Sequence, residues 1–258
     1  MNAVDDDRPP LRPFDEGGWR VEVVASTGST NADVTARFRA GESAGLVVVA
    51  EHQTAGRGRL GRSWEAPARS SLIASVLLTP DVDVQRWPWL PLATGMAVAR
   101  AVGRVVGGGV GLKWPNDVLV DGQKIGGILV ERVERAGLAA AVVGIGINVS
   151  QAREELPVPG ATSLALASGR QVDRNDLLSM LLRELQQDLE AWEADGEVRT
   201  RYQSSCVTLG QQVKVAVPGG EVTGEAVDID DQGRLVVRTA EGVEHLAAGD
   251  VVHVRPQQ

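Results

Sequence analysis

Residues 110–133 read VGLKWPNDVLVDGQKIGGILVERV and place a specific turn signal between two β-rich runs. Asp121-Gly122 favours a two-residue hairpin turn, because such turns need positive φ angles that Asp and Gly tolerate. LAAAVVGIGINV (138–149) follows after a short turn and predicts a further strand. Strands so close in sequence pair most simply as an antiparallel meander, so this region predicts the antiparallel part of a sheet.

Apolar patterns elsewhere predict two more buried strands and three helices. The strands are GLVVVAE (45–51) and SLIASVLL (71–78), and the helices cover 31–41, 89–106 and 174–196. The third helix carries a leucine stripe, for which Asp173 is the predicted N-cap. No repeated βαβ unit with a glycine-rich loop is visible, so we do not expect a dinucleotide-binding fold.

The chain beyond residue 205 changes character and shows short strands separated by turns at 218–220 and 232–233. This pattern predicts a small all-β barrel appended to the main domain. The first 18 residues, MNAVDDDRPPLRPFDEGG, are acidic and proline-rich and predict a disordered tail. The predicted division is a tail at 1–18, a main domain at 19–204 and a barrel at 205–258.

Composition excludes several classes of function for the 258-residue chain. Its hydrophobic residues amount to 43% and its charged residues to 23%, which is ordinary for a soluble globular protein. The net charge of -8 argues against a general nucleic-acid binder. The single cysteine, Cys206, excludes an internal disulfide and fits a reducing cytoplasm. The start lacks a secretory signal and no apolar run could span a bilayer, so we expect a cytoplasmic protein without membrane contact.

The stretch GRGRLGR (56–62) concentrates positive charge on flexible backbone. Glycines let backbone N–H groups turn toward an anion, and arginines add forked donors suited to phosphate or carboxylate. A small anionic ligand would explain a basic loop on an acidic chain. A solvated loop without a ligand is the alternative, and the loop alone does not decide between them.

The stretch KWPNDVLVDGQKIGG (113–127) adds further polar groups near the predicted hairpin. Asn116 and Asp117 offer neighbouring oxygens, a usual way to hold Mg²⁺ beside phosphates. Lys124 returns across the hairpin toward the same end of the sheet. Gly126-Gly127 suggests that a ligand lies against the backbone. A charged hairpin end explains the Asn-Asp pair equally well, but it does not explain the glycines.

Three further features are weaker by themselves. GIGINV (144–149) places glycines in a buried strand and ends on Asn148, as a ligand site or a bulge would. STGSTN (26–31) precedes a predicted helix, where hydroxyl groups often serve as caps. Trp64 could pack on an adenine or in the core.

Together these motifs resemble the biotin–protein ligases, or biotin–[acetyl-CoA-carboxylase] ligases. The matching pieces are GSTN (28–31), EHQTAGRGRLGRSW (51–64), KWPNDVLV (113–120), KIGGILVE (124–131) and GIGINV (144–149), in the family's order and spacing. The resemblance covers roughly residues 20 to 255. It implies an α+β catalytic domain like that of class II aminoacyl-tRNA synthetases, with a mixed, largely antiparallel sheet. A small barrel of the Src-homology-three type is implied to follow it.

The resemblance also implies a two-step reaction. Biotin and MgATP form biotinoyl-5′-AMP, and a lysine of a biotin carboxyl carrier domain then takes the biotin. The basic loop becomes a cradle and lid over the adenylate, because the first step brings two anions together. Biotin, ATP and the carrier are the implied partners.

Roles of single residues follow from the same resemblance. Biotin would contact Ser29, Thr30, Gln53, Gly56, Arg57, Gly58, Ser75, Lys124, Gly127 and Gly144. ATP would contact Arg59, Arg62, Trp64, Lys113, Asn116 and Asn148. Asn116 and Asp117 would bind Mg²⁺, and the catalytic groups would be Lys124, Arg57, Asp117 and Lys113.

One departure and two alternatives remain. Many family members carry an N-terminal DNA-binding domain, but only about twenty residues precede the predicted catalytic domain, so we expect the monofunctional form without nucleic-acid binding. A lipoate–protein ligase is the rival enzyme, and the polar set of Thr30, Gln53 and Arg57 favours a ureido ring over its dithiolane. An RNA-binding module would need more basic and aromatic surface. We expect a monomer or a weak homodimer.

Overall fold

The computed structural model describes residues 8–194 and 197–254 of the chain, which form two sheets. The larger sheet contains, in spatial order, β1 (Phe14–Glu16), β2 (Trp19–Val24), β3 (Leu46–Ala50), β4 (Ser71–Leu78), β8 (Leu138–Asn148), β7 (Gln123–Arg135), β6 (Asp117–Val120) and β5 (Val110–Lys113). Neighbouring strands are antiparallel except β2 and β3, which run parallel. The sheet is therefore mixed and largely antiparallel, as predicted.

The predicted meander is confirmed, since β5, β6, β7 and β8 pair in chain order. Asp121 and Gly122 form the turn between β6 and β7, with φ angles of 47° and 75°. The buried strands predicted at 45–51 and 71–78 correspond to β3 and β4. Both are buried at every residue, because the sheet is covered on both faces.

Helices cover the two faces of the larger sheet. α1 (Thr30–Arg39) packs Val34 and Phe38 against the face that carries Val48 of β3. α2 (Leu90–Val106) packs against the opposite face, to which Val47 and Val49 contribute. Alternate residues of β3 thus enter different cores, which is why the strand reads as a continuous apolar run. The remaining helices are α3 (Leu164–Ser168), α4 (Arg174–Glu193) and α5 (Val198–Ser205).

The crossover from β2 through α1 to the parallel strand β3 was not foreseen. β2 reads WRVEVV, and only two of its six residues are buried. Its charged residues hide the apolar pattern. The structure thus contains a βαβ unit, but in a sheet that is otherwise antiparallel.

The longest predicted helix is confirmed as α4. The Asp173 carboxylate accepts a hydrogen bond from the Asn175 N–H at 2.7 Å, as an N-cap does. The predicted stripe is buried at Leu177, Leu178, Leu181, Leu182, Leu185 and Leu189. α4 ends at Glu193, and residues 195–196 of the prediction lie outside the described residues. No helix in the described parts of the chain is long and apolar enough to cross a bilayer.

The smaller sheet is antiparallel throughout and confirms an all-β C-terminal unit. Its strands, in spatial order, are β12 (Val243–Leu246), β11 (Leu235–Arg238), β10 (Gly220–Ile229), β9 (Gln212–Val217) and β13 (Asp250–His253). Two tryptophans of the larger unit hold it. Trp89 Nε1 donates to the Asp231 carbonyl at 2.8 Å, and Trp114 Nε1 donates to the Gly233 carbonyl at 3.0 Å.

The N-terminal segment differs from the predicted tail. Residues 1–7 lie outside the described residues, but residues 8–18 pack on the main unit. Leu11 is 5% exposed, its N–H donates to Glu51 at 2.7 Å, and Phe14 opens strand β1. These two apolar side chains give an otherwise charged segment enough surface to dock. The boundary near residue 205 stays a prediction; α5 ends at Ser205 and β9 begins at Gln212.

Candidate active site

A cavity that is partly open to solvent lies on the larger sheet where the basic loop, the start of α1 and the β5–β6 turn meet. Residues Gly249 to Val251 of the smaller sheet also line it. The structure brings most of the predicted site residues to this cavity. Its lining includes Ser29, Thr30, Gln53, Arg57, Gly58, Arg59, Arg62, Trp64, Lys113, Asn116, Asp117, Lys124, Gly127 and Gly144.

Three predicted site residues, Gly56, Ser75 and Asn148, lie behind or beside the lining. A Cβ on Gly56 would meet the Trp64 carbonyl oxygen at 2.3 Å, so this glycine lets the loop close on itself. Ser75 is fully buried. Asn148 is 4% exposed, and both ends of its amide bind protein groups: Nδ2 donates to a carbonyl, and Oδ1 accepts from an amide. Its predicted contact with ATP stays a prediction that this arrangement does not favour.

The basic loop folds back as a short hairpin. Trp64 N donates to the Gly56 carbonyl at 2.9 Å, and Gly58 N donates to the Arg62 carbonyl at 2.7 Å. Leu60 at the tip has a φ of 56° and is 66% exposed. An exposed leucine in the left-handed region is uncommon, and it leaves the tip without packing.

The three arginines of the loop are held by three different parts of the cavity wall. Arg57 pairs with Glu131 at 3.1 Å, Arg59 donates to Asn116 Oδ1 at 3.0 Å, and Arg62 pairs with Asp250 of the smaller sheet. Burial lowers the pKa of the Arg59 guanidinium, whereas the hydrogen bond to Asp250 raises the pKa of Arg62. The loop therefore spans from β7 to the smaller sheet across the mouth of the cavity.

The two lysines of the cavity flank Asp117. Lys124 Nζ lies 2.6 Å from Asp117 Oδ1, and the side chains are 32% and 21% exposed. Lys113 and Asp117 are opposite residues in the β5–β6 pair. Lys113 is the last residue of β5, and residues 114–116 form the turn to β6. The predicted meeting of two lysines and an aspartate at one site is thus observed.

A polar chain of five side chains runs beneath the cavity. Thr30 N donates to Gln53 Oε1 at 2.7 Å, and the Thr30 hydroxyl lies 2.7 Å from Ser75 Oγ. Ser75 Oγ donates to Asn31 Oδ1 at 2.6 Å, and Asn31 Nδ2 donates to Glu131 Oε2 at 2.6 Å. Arg57 joins the same carboxylate, so the chain connects the start of α1 to the basic loop.

The unusual glycines have two different causes. A Cβ on Gly144 would lie 2.4 Å from Asn31 Oδ1, and one on Gly146 would lie 2.6 Å from the Trp64 ring. A Cβ on Gly126 would meet the Gly146 carbonyl oxygen at 2.8 Å. These three glycines are required by contacts within the protein. Gly127 lines the cavity, as expected where a ligand approaches the backbone.

Comparisons with known proteins match the part of the chain that contains these motifs. Residues 23–148 match the biotin/lipoate A/B protein ligase family, and residues 208–254 match the biotin protein ligase C-terminal domain. A biotin--[acetyl-CoA-carboxylase] ligase of Mycobacterium tuberculosis is 46% identical over 96% of this chain and 99% of its own length. The chain belongs to the biotin protein ligase family.

Solved biotin protein ligases share the fold over about nine-tenths of this chain. The structure of the Aquifex aeolicus protein in complex with biotin and ATP is 31% identical, with a TM-score of 0.76 over 91% of this chain and 98% of that one. The Leishmania major protein in complex with biotinyl-5-AMP is 29% identical, with a TM-score of 0.62 over 88% and 98% of the two chains.

Two residues of this biotin protein ligase family member were missed as site residues. Asn31 and Glu131 both belong to quoted motifs, as the last residues of GSTN and KIGGILVE. The usable signal for Glu131 was a charged residue directly after the apolar run 128–130, inside a predicted strand. Neither was singled out, because the partners of Asn31 are distant in the sequence: Ser75 lies 44 positions away and Glu131 lies 100 positions away.

Proposed function

We propose that the protein is an ATP-dependent biotin–protein ligase that acts through biotinoyl-5′-AMP. The carboxylate oxygen of biotin attacks the α-phosphorus of MgATP, and the bond to the β-phosphate breaks to release pyrophosphate. The amine of one lysine on a biotin carboxyl carrier domain then attacks the acyl carbon and releases AMP. The observation that carries the proposal is the ring of five cations, Arg57, Arg59, Arg62, Lys113 and Lys124, around one cavity.

Biotin occupies the end of the cavity beside α1. Its ureido ring meets the polar chain at Thr30 and Gln53, with Ser29 next to them and Ser75 behind them. Gly127 and Gly144 border the same end, and Gly56 and Gly58 shape the loop above it. The carboxylate of biotin points toward Lys124 and Arg57, since Arg57 joins the polar chain through Glu131 and Lys124 lies next to Gly127.

ATP occupies the end of the cavity that faces the smaller sheet. Arg59, Arg62 and Lys113 neutralise its phosphates, with Asn116 beside them. Trp64 contacts the adenine, and Asn148 is a further candidate for that contact. Arg59 and Arg62 now bind Asn116 and Asp250, so ATP replaces these partners with phosphate oxygens. Both guanidinium groups keep hydrogen-bond acceptors throughout this exchange, because phosphate oxygens take the place of the amide oxygen and the carboxylate.

Magnesium enters as part of MgATP. No group of three or more His, Cys, Asp or Glu side chains is arranged to hold a metal ion among residues 8–194 and 197–254. One carboxylate and one amide, from Asp117 and Asn116, suit an ion that keeps water and phosphate ligands. Lys124 Nζ binds one oxygen of Asp117, and the same carboxylate would hold the ion together with Asn116.

The transfer step uses Asp117 a second time. Its carboxylate accepts the proton that the carrier lysine loses as the amide bond forms. Lys124 holds Asp117 at 2.6 Å and keeps it directed into the cavity. The closed basic loop shields the mixed anhydride from water until the carrier arrives.

The finer architecture belongs to the same proposal. The larger unit is of the class II aminoacyl-tRNA synthetase type, and the smaller sheet forms a barrel of the Src-homology-three type. The units divide at residues 19–204 and 205–258. The protein works in the cytoplasm as a monomer or weak homodimer, without nucleic acid.

The decisive experiment is exchange of labelled pyrophosphate into ATP without any acceptor protein. We expect exchange that depends on biotin, followed by a mass increase of one biotin when a carrier domain is added. Exchange with lipoate but not with biotin would move the protein to the rival activity. Exchange without transfer to any carrier would leave only the first half-reaction.

A further inference from the structure

Glu131, Asn31, Ser75 and Thr30 form a continuous line of hydrogen bonds from β7 to the cavity. The three contacts measure 2.6 Å, 2.6 Å and 2.7 Å along this order. Asn31 is 4%, Ser75 0% and Thr30 3% exposed, so bulk water does not compete for the inner groups. Each group in the line therefore depends on its neighbours for its hydrogen bonds.

The line has a fixed direction. A carboxylate accepts but does not donate, so Asn31 turns its NH₂ group toward Glu131 and its carbonyl toward Ser75. Ser75 gives its only proton to that carbonyl. The oxygens of Ser75 and Thr30 lie 2.7 Å apart and need a proton between them, and Thr30 must supply it because Ser75 has already given its own. The Thr30 hydroxyl also lies 3.1 Å from Gln53 Oε1, but that oxygen already accepts the shorter bond from the Thr30 N–H. Thr30 has then spent its proton and offers only lone pairs to a ligand.

Gln53 complements this arrangement. The Thr30 N–H donates to Gln53 Oε1 at 2.7 Å, which directs the amide so that Nε2 is its free donor. An acceptor, Thr30 Oγ1, and a donor, Gln53 Nε2, therefore lie side by side on the cavity. A ureido ring presents the opposite pair, N–H groups next to a carbonyl.

We infer that Glu131 is a positioning residue that sets biotin specificity by fixing the direction of this line. The inference rests on the proposed function. Glu131 does not touch the ring; it acts through Asn31 and Ser75 and makes Thr30 an acceptor for a ring N–H. Because the carboxylate can only accept hydrogen bonds, the direction of the line cannot reverse. A ring that carries an oxygen in place of this N–H therefore places its lone pairs against those of Thr30 Oγ1.

The substitution Glu131→Gln would no longer fix the direction of the hydrogen bonds. The glutamine side chain accepts or donates, so the line can run in either direction and Thr30 can donate as well as accept. The useful probes are the two carbamate analogues of biotin, in which one ring N–H or the other is replaced by oxygen. We expect unmodified protein to bind biotin at least about tenfold more tightly than one of these analogues.

The test is calorimetric binding of biotin and both analogues to unmodified protein, Glu131→Gln, Thr30→Val and the double variant. In Glu131→Gln we expect the preference for biotin over the sensitive analogue to fall about tenfold. Glu131→Gln also removes the ion pair with Arg57, but that loss would change the affinity for all three ligands by the same factor. The ratio of the affinity for biotin to the affinity for the analogue therefore reports only on the direction of the line. In Thr30→Val the ratio should collapse, and adding Glu131→Gln should change it no further.

Glu134→Gln is the matched control, because Glu134 lies on the same strand in an exposed pair with Arg132. It should leave the ratio unchanged. A ratio that survives in Glu131→Gln but collapses in Thr30→Val would overturn the inference while leaving the proposed function intact. No biotin binding by the unmodified protein would overturn the proposed function and this inference with it.

Discussion

Lys124 and Asp117 lie 2.6 Å apart on the wall of the cavity and show how single residues prepare the site. A partly buried cation without a partner is costly, so the protein provides its own carboxylate until phosphate arrives. Arg57 and Arg62 follow the same rule with Glu131 and Asp250. The cations are thereby held in place before the substrates bind, which lowers the reorganisation needed for reaction.

Lys124→Ala should reduce the rate of biotin-dependent pyrophosphate exchange by about 100-fold. The charge of Lys124 is needed most where the biotin carboxylate meets the α-phosphate, so the affinity for biotin should fall much less. Exchange rates at saturating biotin, together with calorimetry, separate the two effects.

Lys214→Ala is the control, because Lys214 pairs with Glu221 on the smaller sheet with both side chains about half exposed. It should leave both quantities unchanged. Loss of biotin affinity in Lys124→Ala with normal exchange at saturating biotin would show that the role assigned to Lys124 is wrong.

The basic loop is the element whose contacts change most on ligand binding in the proposed reaction. Its hairpin has few backbone hydrogen bonds, and Leu60 at its tip is largely exposed. Two of its arginines, Arg59 and Arg62, bind partners that ATP replaces in the proposed reaction. A segment held mainly by exchangeable polar contacts is expected to open locally at low free-energy cost.

Hydrogen exchange should therefore be fast at residues 57–63 in the free protein and slow after biotin and MgATP are added. Strand β3, which is buried throughout, is the internal reference and should be protected in both states. Equal protection of the loop with and without ligands would contradict its role as a lid.

A second element-level feature is the ion network between α2 and α4. The Glu184 carboxylate is 5% exposed and binds both Arg100 and Arg104. Burial opposes its ionisation, but hydrogen bonds from these arginines prevail and lower the pKa of Glu184 below its usual 4.5. The network therefore stabilises the fold above that value and is lost as pH falls through the lowered pKa.

Glu184→Gln should flatten the decline of the free energy of unfolding below about pH 4.5, because glutamine has no proton to take up. At pH 7 the variant should be less stable than the unmodified protein. Urea denaturation between pH 3 and pH 7 measures both effects. Glu190→Gln, on an exposed position of the same helix, should keep the original pH profile; parallel profiles for all three proteins would refute the assignment.

At the scale of the whole molecule, the two sheets share one core. Buried residues of the smaller sheet, such as Val215 and Leu235, belong to the same apolar cluster as Leu92 of α2. Trp114 connects the units at the turn that contains Asn116 and leads into Asp117 of β6. The smaller sheet thus supports the geometry of the cavity as well as lining it.

Trp114→Phe should lower the free energy of unfolding by about 2–4 kcal/mol, since it removes the hydrogen bond to the buried Gly233 carbonyl and leaves a void.

The unmodified protein should unfold in one transition, with fluorescence and circular dichroism changing together in urea. Two separate transitions would show that the sheets do not form one cooperative unit.

The elements that the sequence predicted well are those whose signal is local. The Asp121-Gly122 hairpin, strands β3, β4 and β8, and the leucine stripe of α4 each follow from neighbouring residues. The motifs also brought fourteen of the predicted site residues to one cavity. The predictions that differed, residues 8–18 and the crossover through β2, concern weakly apolar segments that order only against the rest of the protein.

The sequence by itself determined the antiparallel meander and the all-β C-terminal unit, because turn residues and apolar runs act through their own backbone and burial. The type of chemistry followed from the resemblance of five motifs, taken in order, to one family. Only the tertiary structure decided which partner each polar group has. Gly144 is a glycine because Asn31, from another element, occupies the space of its side chain. Glu131 gains its meaning from Asn31 and Arg57, 100 and 74 positions away. Such pairings depend on the packing of distant strands, for which no local pattern carries information.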